Sequence, residues 1–297
     1  MFIRYLKLRI VAAVTSAVAA AAVVVGAGQA AAAPQSLGPG AEFVNMGDSY
    51  SAGNGVLPGV PGDNPLCQQS ENDPAHLIAR ANGFHLNDVS CGGATTADFF
   101  VSQYPGQAPQ LDALGPKTAR VTLVIGGNDE NVFAGTVAQC VALGASTGFA
   151  GSPCSNTLGN SVADVINNQT YPNLINAYRA IRARAPHATV AVLNYPWIMP
   201  NRVERCPDFP VAPGDGPFTY RLQKALNDAI ARAAKQFGFT LVDVAAASVG
   251  HDSCQSVGVR WVEPLLSTQQ SVTVHPNALG DRQMAMLTSK ALGLKQF

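Results

Sequence analysis

The chain has 297 residues, of which 47% are hydrophobic and 13% are charged, and its basic and acidic residues are equal in number. This length and composition are typical of a globular protein with a large buried core, and they exclude a disordered or fibrous protein. Because there is no surplus of basic residues, nucleic acid is not an expected partner.

Residues 1–33 have the pattern of a secretory signal peptide. Three basic residues precede an Ala/Val-rich apolar run, which ends in the small residues Ala31, Ala32 and Ala33 before Pro34. The pattern predicts export and cleavage near Ala33, leaving residues 34–297 as a single domain. An uncleaved membrane anchor is the alternative, since the run is long enough to span a bilayer. The many alanines and the small-residue end favour cleavage.

All six cysteines follow this segment, and an even number in an exported protein predicts three disulfides. Sequence alone allows 15 pairings of six cysteines. The simplest is the sequential one, Cys67–Cys91, Cys140–Cys154 and Cys206–Cys254. No Cys-x-x-Cys pair or Cys/His cluster has the spacing of a zinc site, so no metal is expected.

Five apolar segments predict buried strands, at residues 43–46, 86–90, 120–125, 187–193 and 239–242. Helices are predicted from Asp73 and Pro74 onward, at residues 98–104, 161–184 and 218–237, and after Pro276 to about Leu292, with a kink at Pro172. Strands and helices alternate, which favours a parallel five-stranded sheet covered on both faces. Residues 130–160 are interpreted as a disulfide-tied excursion with some helix, and residues 55–66 and 196–217 as surface loops.

Two residues are candidates for acyl-transfer chemistry. Ser49 follows the first strand and the turn residues Gly47 and Asp48, a position that can present a hydroxyl at the carboxyl edge of a parallel sheet. His275 lies just before the last predicted helix, on a loop able to face a cleft. A serine with a histidine base is a common nucleophilic pair, although either residue alone is ordinary at such a position.

Three groups could stabilise an oxyanion at this edge. The amide of Ser49 is one, and the amide of Gly93 is another, because glycine lets a backbone N–H approach a ligand closely. The third is the side-chain amide of Asn128, which follows the strand at 120–125.

Together these segments resemble the four sequence blocks of the SGNH (GDSL-type) hydrolase family. They are Gly47-Asp48-Ser49, Gly93, Gly126-Gly127-Asn128-Asp129 and His275-Pro276-Asn277. With the six cysteines, the chain is similar to secreted actinobacterial lipases and esterases of that family. The resemblance implies a flavodoxin-like three-layer α/β/α sandwich and ester hydrolysis through an acyl-enzyme, without a cofactor. It also implies Ser49 as nucleophile, His275 as base, and Ser49, Gly93 and Asn128 as the oxyanion hole.

The chain departs from the family pattern at one position. Many members carry an aspartate three residues before the histidine, where this chain has Val272. We therefore predict a Ser–His dyad in which the main-chain carbonyl of Val272 orients His275. Asp243 and Glu263 are the alternative partners, although both suit ordinary cap or loop roles.

Competing interpretations remain open. Ser146 lies in Gly144-Ala145-Ser146-Thr147-Gly148, which matches the nucleophile elbow of α/β-hydrolases, but no strong strand precedes it. An exported binding module with a degenerate hydrolase fold is the non-enzyme alternative. For an enzyme, a lipase or esterase is the favoured reading, with phospholipase A, carbohydrate acetylesterase or acyltransferase activity as alternatives. The expected partner is a small-molecule or lipid ester. The protein is expected to be a monomer that contacts lipid surfaces only transiently.

Overall fold

Five parallel strands form the central sheet in the computed structural model, which describes residues 42–203 and 206–297. The strands are β1 (Glu42–Gly47), β2 (His85–Asp88), β3 (Arg120–Val124), β4 (Thr189–Leu193) and β5 (Thr240–Val242). Their order in the sheet is β2-β1-β3-β4-β5, and every neighbouring pair is parallel. The predicted parallel five-stranded sheet is therefore confirmed. Strand β2 differs from its prediction because it begins at His85 and ends at Asp88.

Nine α-helices accompany the strands in the described ranges. They are α1 (Ser49–Ala52), α2 (Pro74–Asn82), α3 (Ala134–Ser146), α4 (Pro153–Leu158), α5 (Ser161–Val165), α6 (Tyr171–Arg184), α7 (Gly216–Gln236), α8 (Val244–Ala247) and α9 (Ala278–Ala291). Short 3₁₀ turns lie at Thr96–Phe99, Gln110–Ala113, Asp129–Asn131 and Pro213–Asp215. Helices cover both faces of the sheet, which gives the predicted three-layer α/β/α sandwich.

Apolar side chains of the strands and helices bury the sheet. Strand β3 is buried at every residue, as expected for a strand covered on both faces. Helices α6 and α7 pack on each other and contribute Tyr178 and Ile230 to the main core, which includes Val121 of β3. Helices α2 and α9 also pack on each other, and their Ile78 and Ala285 belong to a second cluster that includes Phe43 of β1.

Two predicted helices differ in the structure. The predicted helix at 98–104 is only a 3₁₀ turn, Thr96–Phe99, in which Asp98 caps the backbone amide of Thr95. The predicted helix at 161–184 consists of α5, a π-helical turn at Ile166–Thr170, and α6. The wide turn ends just before Pro172, whose ring nitrogen cannot donate the next α-helical hydrogen bond. The proline therefore changes the helical register here, where a kink was predicted.

The three disulfides follow the sequential pairing, Cys67–Cys91, Cys140–Cys154 and Cys206–Cys254. The first joins the loop before α2 to the residues that follow β2. The second joins α3 to α4, which makes residues 130–160 the disulfide-tied helical excursion that the sequence predicted.

The described residues lie in one compact unit. The predicted signal peptide, residues 1–33, lies outside the described residues. Within the part of the chain that is described, no helix has the length and apolar character needed to cross a membrane.

Candidate active site

Ser49 and His275 meet at the carboxyl edge of the sheet. Ser49 Oγ and His275 Nε2 are 2.7 Å apart, although the two residues are separated by 226 positions in the chain. This distance is that of a hydrogen bond, through which a proton can pass directly from the hydroxyl to the imidazole. The pair that the sequence proposed is therefore assembled in the folded protein.

The turn after β1 presents the Ser49 hydroxyl. Gly47 has a φ of 113°, and a Cβ at this position would lie 2.1 Å from the carbonyl oxygen of Val124. Only glycine allows this close approach between β1 and the end of β3. Asp48 then caps the short helix α1, its Oδ1 accepting from the amide of Tyr50 at 2.9 Å. Ser49 consequently occupies the first position of a helix, where its own amide has no intrahelical acceptor.

The loop before α9 places the His275 ring. The amide of Val274 donates to the carbonyl of Glu263 and the amide of Glu263 donates to the carbonyl of His275, at 3.0 and 2.9 Å. Asn277 caps α9 by accepting from the amide of Gly280. The phenol of Tyr50 donates to the Val274 carbonyl at 2.6 Å, so the residue after the serine also braces the residue before the histidine.

The carbonyl that orients His275 belongs to Thr273, and the prediction of Val272 is wrong. His275 Nδ1 lies 2.7 Å from the Thr273 oxygen, whereas the Val272 oxygen accepts from Gln270 Nε2. Val274 has a φ of 57°, a left-handed conformation that is rare for a β-branched residue. This local turn directs the Thr273 carbonyl back toward the ring. A carbonyl can only accept, so it holds the proton on Nδ1 and leaves Nε2 free to accept the Ser49 proton.

The two alternative carboxylates have other roles. Asp243 caps α8 and accepts from Asn194 Nδ2 at 2.8 Å. Glu263 is buried in an ion pair with Arg260, at 2.6 Å, and also accepts from Asn277 Nδ2. The hydrogen bonds of Arg260 and Asn277 hold the pKa of Glu263 below its usual value although burial opposes this. Glu263 therefore stabilises the loop that carries His275 and is not bonded to its ring.

Burial lowers the pKa of His275 below its usual value of 6.5, because a desolvated imidazolium is disfavoured. The hydrogen bond to the Thr273 carbonyl opposes this shift but is the smaller effect. The ring is therefore neutral, and able to act as a base, over a wider range of pH than an exposed histidine.

Of the candidate oxyanion donors, Asn128 lines the pocket beside the serine and Gly93 does not. Asn128 lines the same pocket as Ser49 and His275, and one hydrogen of its Nδ2 goes to the Ala94 carbonyl at 3.0 Å. The second hydrogen of this amide is available to a ligand. Gly93, with a φ of 75°, precedes Ala94 and so lies in the turn that Asn128 holds. Gly93 itself is not among the residues that line the pocket.

A buried hydrogen-bond network lies below the serine and was not predicted from the sequence. Asp48 Oδ2 accepts a hydrogen bond from the phenol of Tyr195, and the Tyr195 oxygen accepts from the amide of Gly127 at 2.8 Å. Burial raises the pKa of Asp48 to about 7, although the bonds from Tyr195 and Tyr50 oppose it. The network joins the ends of β1, β3 and β4. Tyr195 lies two residues after β4, and position beyond the end of a strand was the signal that could have found it.

The pocket beside the pair is large and apolar. It has a volume of about 540 Å³. One wall is a face of α3, and Phe133, Tyr195 and Leu265 complete the apolar lining. The α3 residues of this wall are spaced at helical intervals: Ala134, Val137, Ala138, Val141, Ala142 and Ala145. Four of these six are alanines, so the wall leaves room that larger side chains would fill.

The alternative nucleophile Ser146 is at the end of α3, not after a strand. It is exposed, and its hydroxyl donates to the Leu143 carbonyl of the same helix at 2.8 Å. The nucleophile elbow of α/β-hydrolases needs a strand before the serine. The Gly-x-Ser-x-Gly pattern at 144–148 is therefore a helix end.

A parallel α/β/α sandwich with a serine–histidine pair beside an apolar pocket is the arrangement of a carboxylic ester hydrolase, and comparisons with known proteins agree with this class. Residues 46–283 match the GDSL-like Lipase/Acylhydrolase family. The chain belongs to this family, as the four sequence blocks indicated.

Similar proteins come from Streptomyces. Lipase 2 of Streptomyces coelicolor is 48% identical over 288 residues, which cover 96% of this chain and 97% of that protein. The crystal structure of phospholipase A1 from Streptomyces albidoflavus is 28% identical, with a TM-score of 0.70, and the match covers 86% of this chain and 98% of that one. An extracellular lipase from Streptomyces rimosus is 26% identical, with a TM-score of 0.71, and the match covers 84% and 99% of the two chains.

Proposed function

We propose that the protein is an exported lipase or esterase that hydrolyses lipid esters through an acyl-enzyme on Ser49. The observation that carries the proposal is the hydrogen bond between Ser49 Oγ and His275 Nε2, beside an apolar pocket of about 540 Å³. In the first step Ser49 attacks the ester carbonyl while His275 takes its proton, and the imidazolium then protonates the departing alcohol. In the second step His275 takes a proton from water, which attacks the acyl-enzyme, and the imidazolium returns this proton to Ser49 as the acid is released.

The Thr273 carbonyl supports both steps by holding the proton on His275 Nδ1. A carbonyl fixes the tautomer as an aspartate would, but it supplies less stabilisation to the imidazolium that forms. Stabilisation of the transition state then depends mainly on the groups that donate hydrogen bonds to the oxyanion. We assign these to the amide of Ser49, the side chain of Asn128 and the amide of Gly93, and a single donor of this kind contributes about 2.7–4 kcal/mol to the transition state.

The apolar wall of α3 supports an acyl chain as the occupant of the pocket. A lining of alanine, valine, phenylalanine and leucine offers burial but few hydrogen-bond partners, which suits methylene groups. An acetylated sugar would instead need polar groups to receive its hydroxyls. The named activities of the Streptomyces relatives, lipase and phospholipase A1, also favour a lipid ester.

The remaining alternatives are separated by chemistry. Phospholipase A activity uses the same pair and pocket and differs only in the alcohol that departs. Acyltransferase activity would use an alcohol in place of water in the second step. A binding module would keep the pocket without reactivity at Ser49, and the short bond to His275 is an observation against it. Export after removal of residues 1–33 is supported by the three disulfides.

Esterase assays on two serine variants test the assignment. Ser49→Ala should lower kcat by at least about 10⁴-fold, because loss of the nucleophile leaves only binding and oxyanion stabilisation. Ser146→Ala should retain wild-type activity, since this side chain bonds only within its own helix. The assignment is wrong if the Ser49 variant stays active or if the Ser146 variant loses activity while remaining folded.

A further inference from the structure

Three side chains outside the active site converge where α2 begins and β2 ends. Asp73 caps α2, with Oδ1 accepting from the amide of His76 at 2.8 Å and Oδ2 lying 2.6 Å from His76 Nδ1. Asp88, the last residue of β2, places its Oδ2 3.5 Å from the same nitrogen. The three possible ligand atoms lie within 4.8 Å of one another.

Asp88 carries an unsatisfied oxygen that points into this cluster. Its side chain is 5% exposed, and its Oδ2 is fully buried without a hydrogen-bond partner. Its Oδ1, in contrast, accepts three hydrogen bonds, from Asn45 and from the amide and hydroxyl of Ser90. A buried carboxylate oxygen without a donor is costly, and a bound cation would satisfy it.

His76 alone cannot satisfy both carboxylates. Among the residues that the structure describes, His76 is the basic side chain paired with Asp73 and Asp88. Its Nδ1 carries at most one hydrogen, which the closer Asp73 Oδ2 receives. A cation placed between the three atoms would contact all of them at once.

We propose that Asp73, His76 and Asp88 form a binding site for one Zn²⁺ or a chemically similar divalent transition-metal ion. One imidazole nitrogen and two carboxylate oxygens are a ligand set that zinc accepts, whereas Ca²⁺ and Mg²⁺ prefer oxygen ligands throughout. Zinc bonds to these ligands are about 2.0–2.2 Å long, so the ligand atoms of a shared ion lie about 3–4 Å apart. His76 Nδ1 and Asp73 Oδ2, now 2.6 Å apart in a hydrogen bond, would separate slightly to admit the ion. Binding requires the Nδ1 proton of His76 to move to Nε2, which keeps the imidazole neutral.

The site has access to solvent and a structural role. His76 is 22% exposed, and Asp88 lines a polar surface depression together with Asp63 and Asp112. The ion would tie the start of α2 to the end of β2, the same junction that the disulfide Cys67–Cys91 closes. The bound ion would therefore raise the stability of the fold and would take no part in ester hydrolysis.

Calorimetric titration of the purified, chelator-treated protein with ZnCl₂ tests the proposal. Wild-type protein should bind one equivalent, with Zn²⁺ also raising Tm, and MgCl₂ and CaCl₂ should bind far more weakly. Asp88→Asn has the same shape without the charge, and it should weaken zinc binding at least about 100-fold, as should His76→Gln. Circular dichroism and esterase activity establish that Asp88→Asn and His76→Gln are folded, and circular dichroism alone serves for variants of the active site.

Two histidine variants serve as controls. His187→Ala removes an exposed histidine outside the cluster and should bind zinc as wild type does. His275→Gln removes the active-site imidazole and should also bind one equivalent of zinc. The proposal is overturned if wild-type protein binds no stoichiometric zinc, or if the folded Asp88→Asn and His76→Gln variants bind it as tightly as wild type.

Discussion

Replacing Ala138 with phenylalanine should shorten the acyl chain that the enzyme hydrolyses best. Ala138 lies on the exposed face of α3 that forms a wall of the pocket beside Ser49. A phenyl ring there would fill space that an acyl chain otherwise occupies. If the ring excludes about four methylenes, at about 0.8 kcal/mol for each buried CH₂, the transition state for a long chain loses about 3 kcal/mol.

That loss corresponds to a fall of about 200-fold in kcat/KM for long-chain esters, because about 1.4 kcal/mol is a factor of ten. Esters with two to four acyl carbons should be hydrolysed at close to the wild-type rate, since their chains end before the new ring. The assay is the kcat/KM profile of p-nitrophenyl esters from acetate to palmitate. It requires no assumption about the physiological alcohol.

Gln139→Phe is the matched control for this variant. Gln139 is the next residue of the same helix, is also exposed, and does not line the pocket. Its profile should match wild type, which separates pocket filling from a general effect of an added aromatic residue. If Ala138→Phe lowers all esters equally, or leaves palmitate unaffected, the acyl chain does not lie along α3 and the pocket assignment is wrong.

Four further predictions concern the polar groups. The rise of kcat/KM with pH should have its midpoint below 6.5, since burial favours the neutral base His275; a midpoint above 6.5 would contradict this. Asp243→Asn should change kcat only a few-fold, whereas an aspartate that oriented His275 would cost about 10⁴-fold in the same assay. Asn128→Ala should lower kcat by about 10²–10³-fold with little change in KM, and a pure KM effect would exclude an oxyanion role. The pKa of Asp48 is about 7 in the folded protein and about 3.8 in the unfolded chain. Asp48 therefore makes the free energy of unfolding fall as the pH rises between these two values. Denaturant titrations at pH 5 and pH 8 should show a smaller fall for Asp48→Asn than for wild type.

The sheet and the central pair were predictable because their signals are local. Each strand of a sheet covered on both faces is a short apolar run, and Ser49 directly follows such a run. His275 was identifiable because it precedes a helix that begins with its own cap, Asn277. The same logic placed Asn128 at the end of β3.

The errors arose where backbone conformation decides the outcome. The orienting carbonyl is that of Thr273 and not Val272, because Val274 adopts a left-handed conformation that a β-branched residue gives no reason to expect. The face of α3 that walls the pocket is made largely of alanines, which no hydrophobic pattern marks as functional.

The central claim is that the Ser49 hydroxyl is the nucleophile and that His275 activates it. Mass spectrometry after reaction with a p-nitrophenyl alkylphosphonate tests it most directly, because the reagent forms a stable bond to an activated serine. The account predicts one adduct per molecule, located by peptide mapping on Ser49, and a loss of labelling in folded His275→Ala. An adduct on Ser146 or another residue, or labelling of Ser49 that proceeds equally well without the histidine, would contradict it.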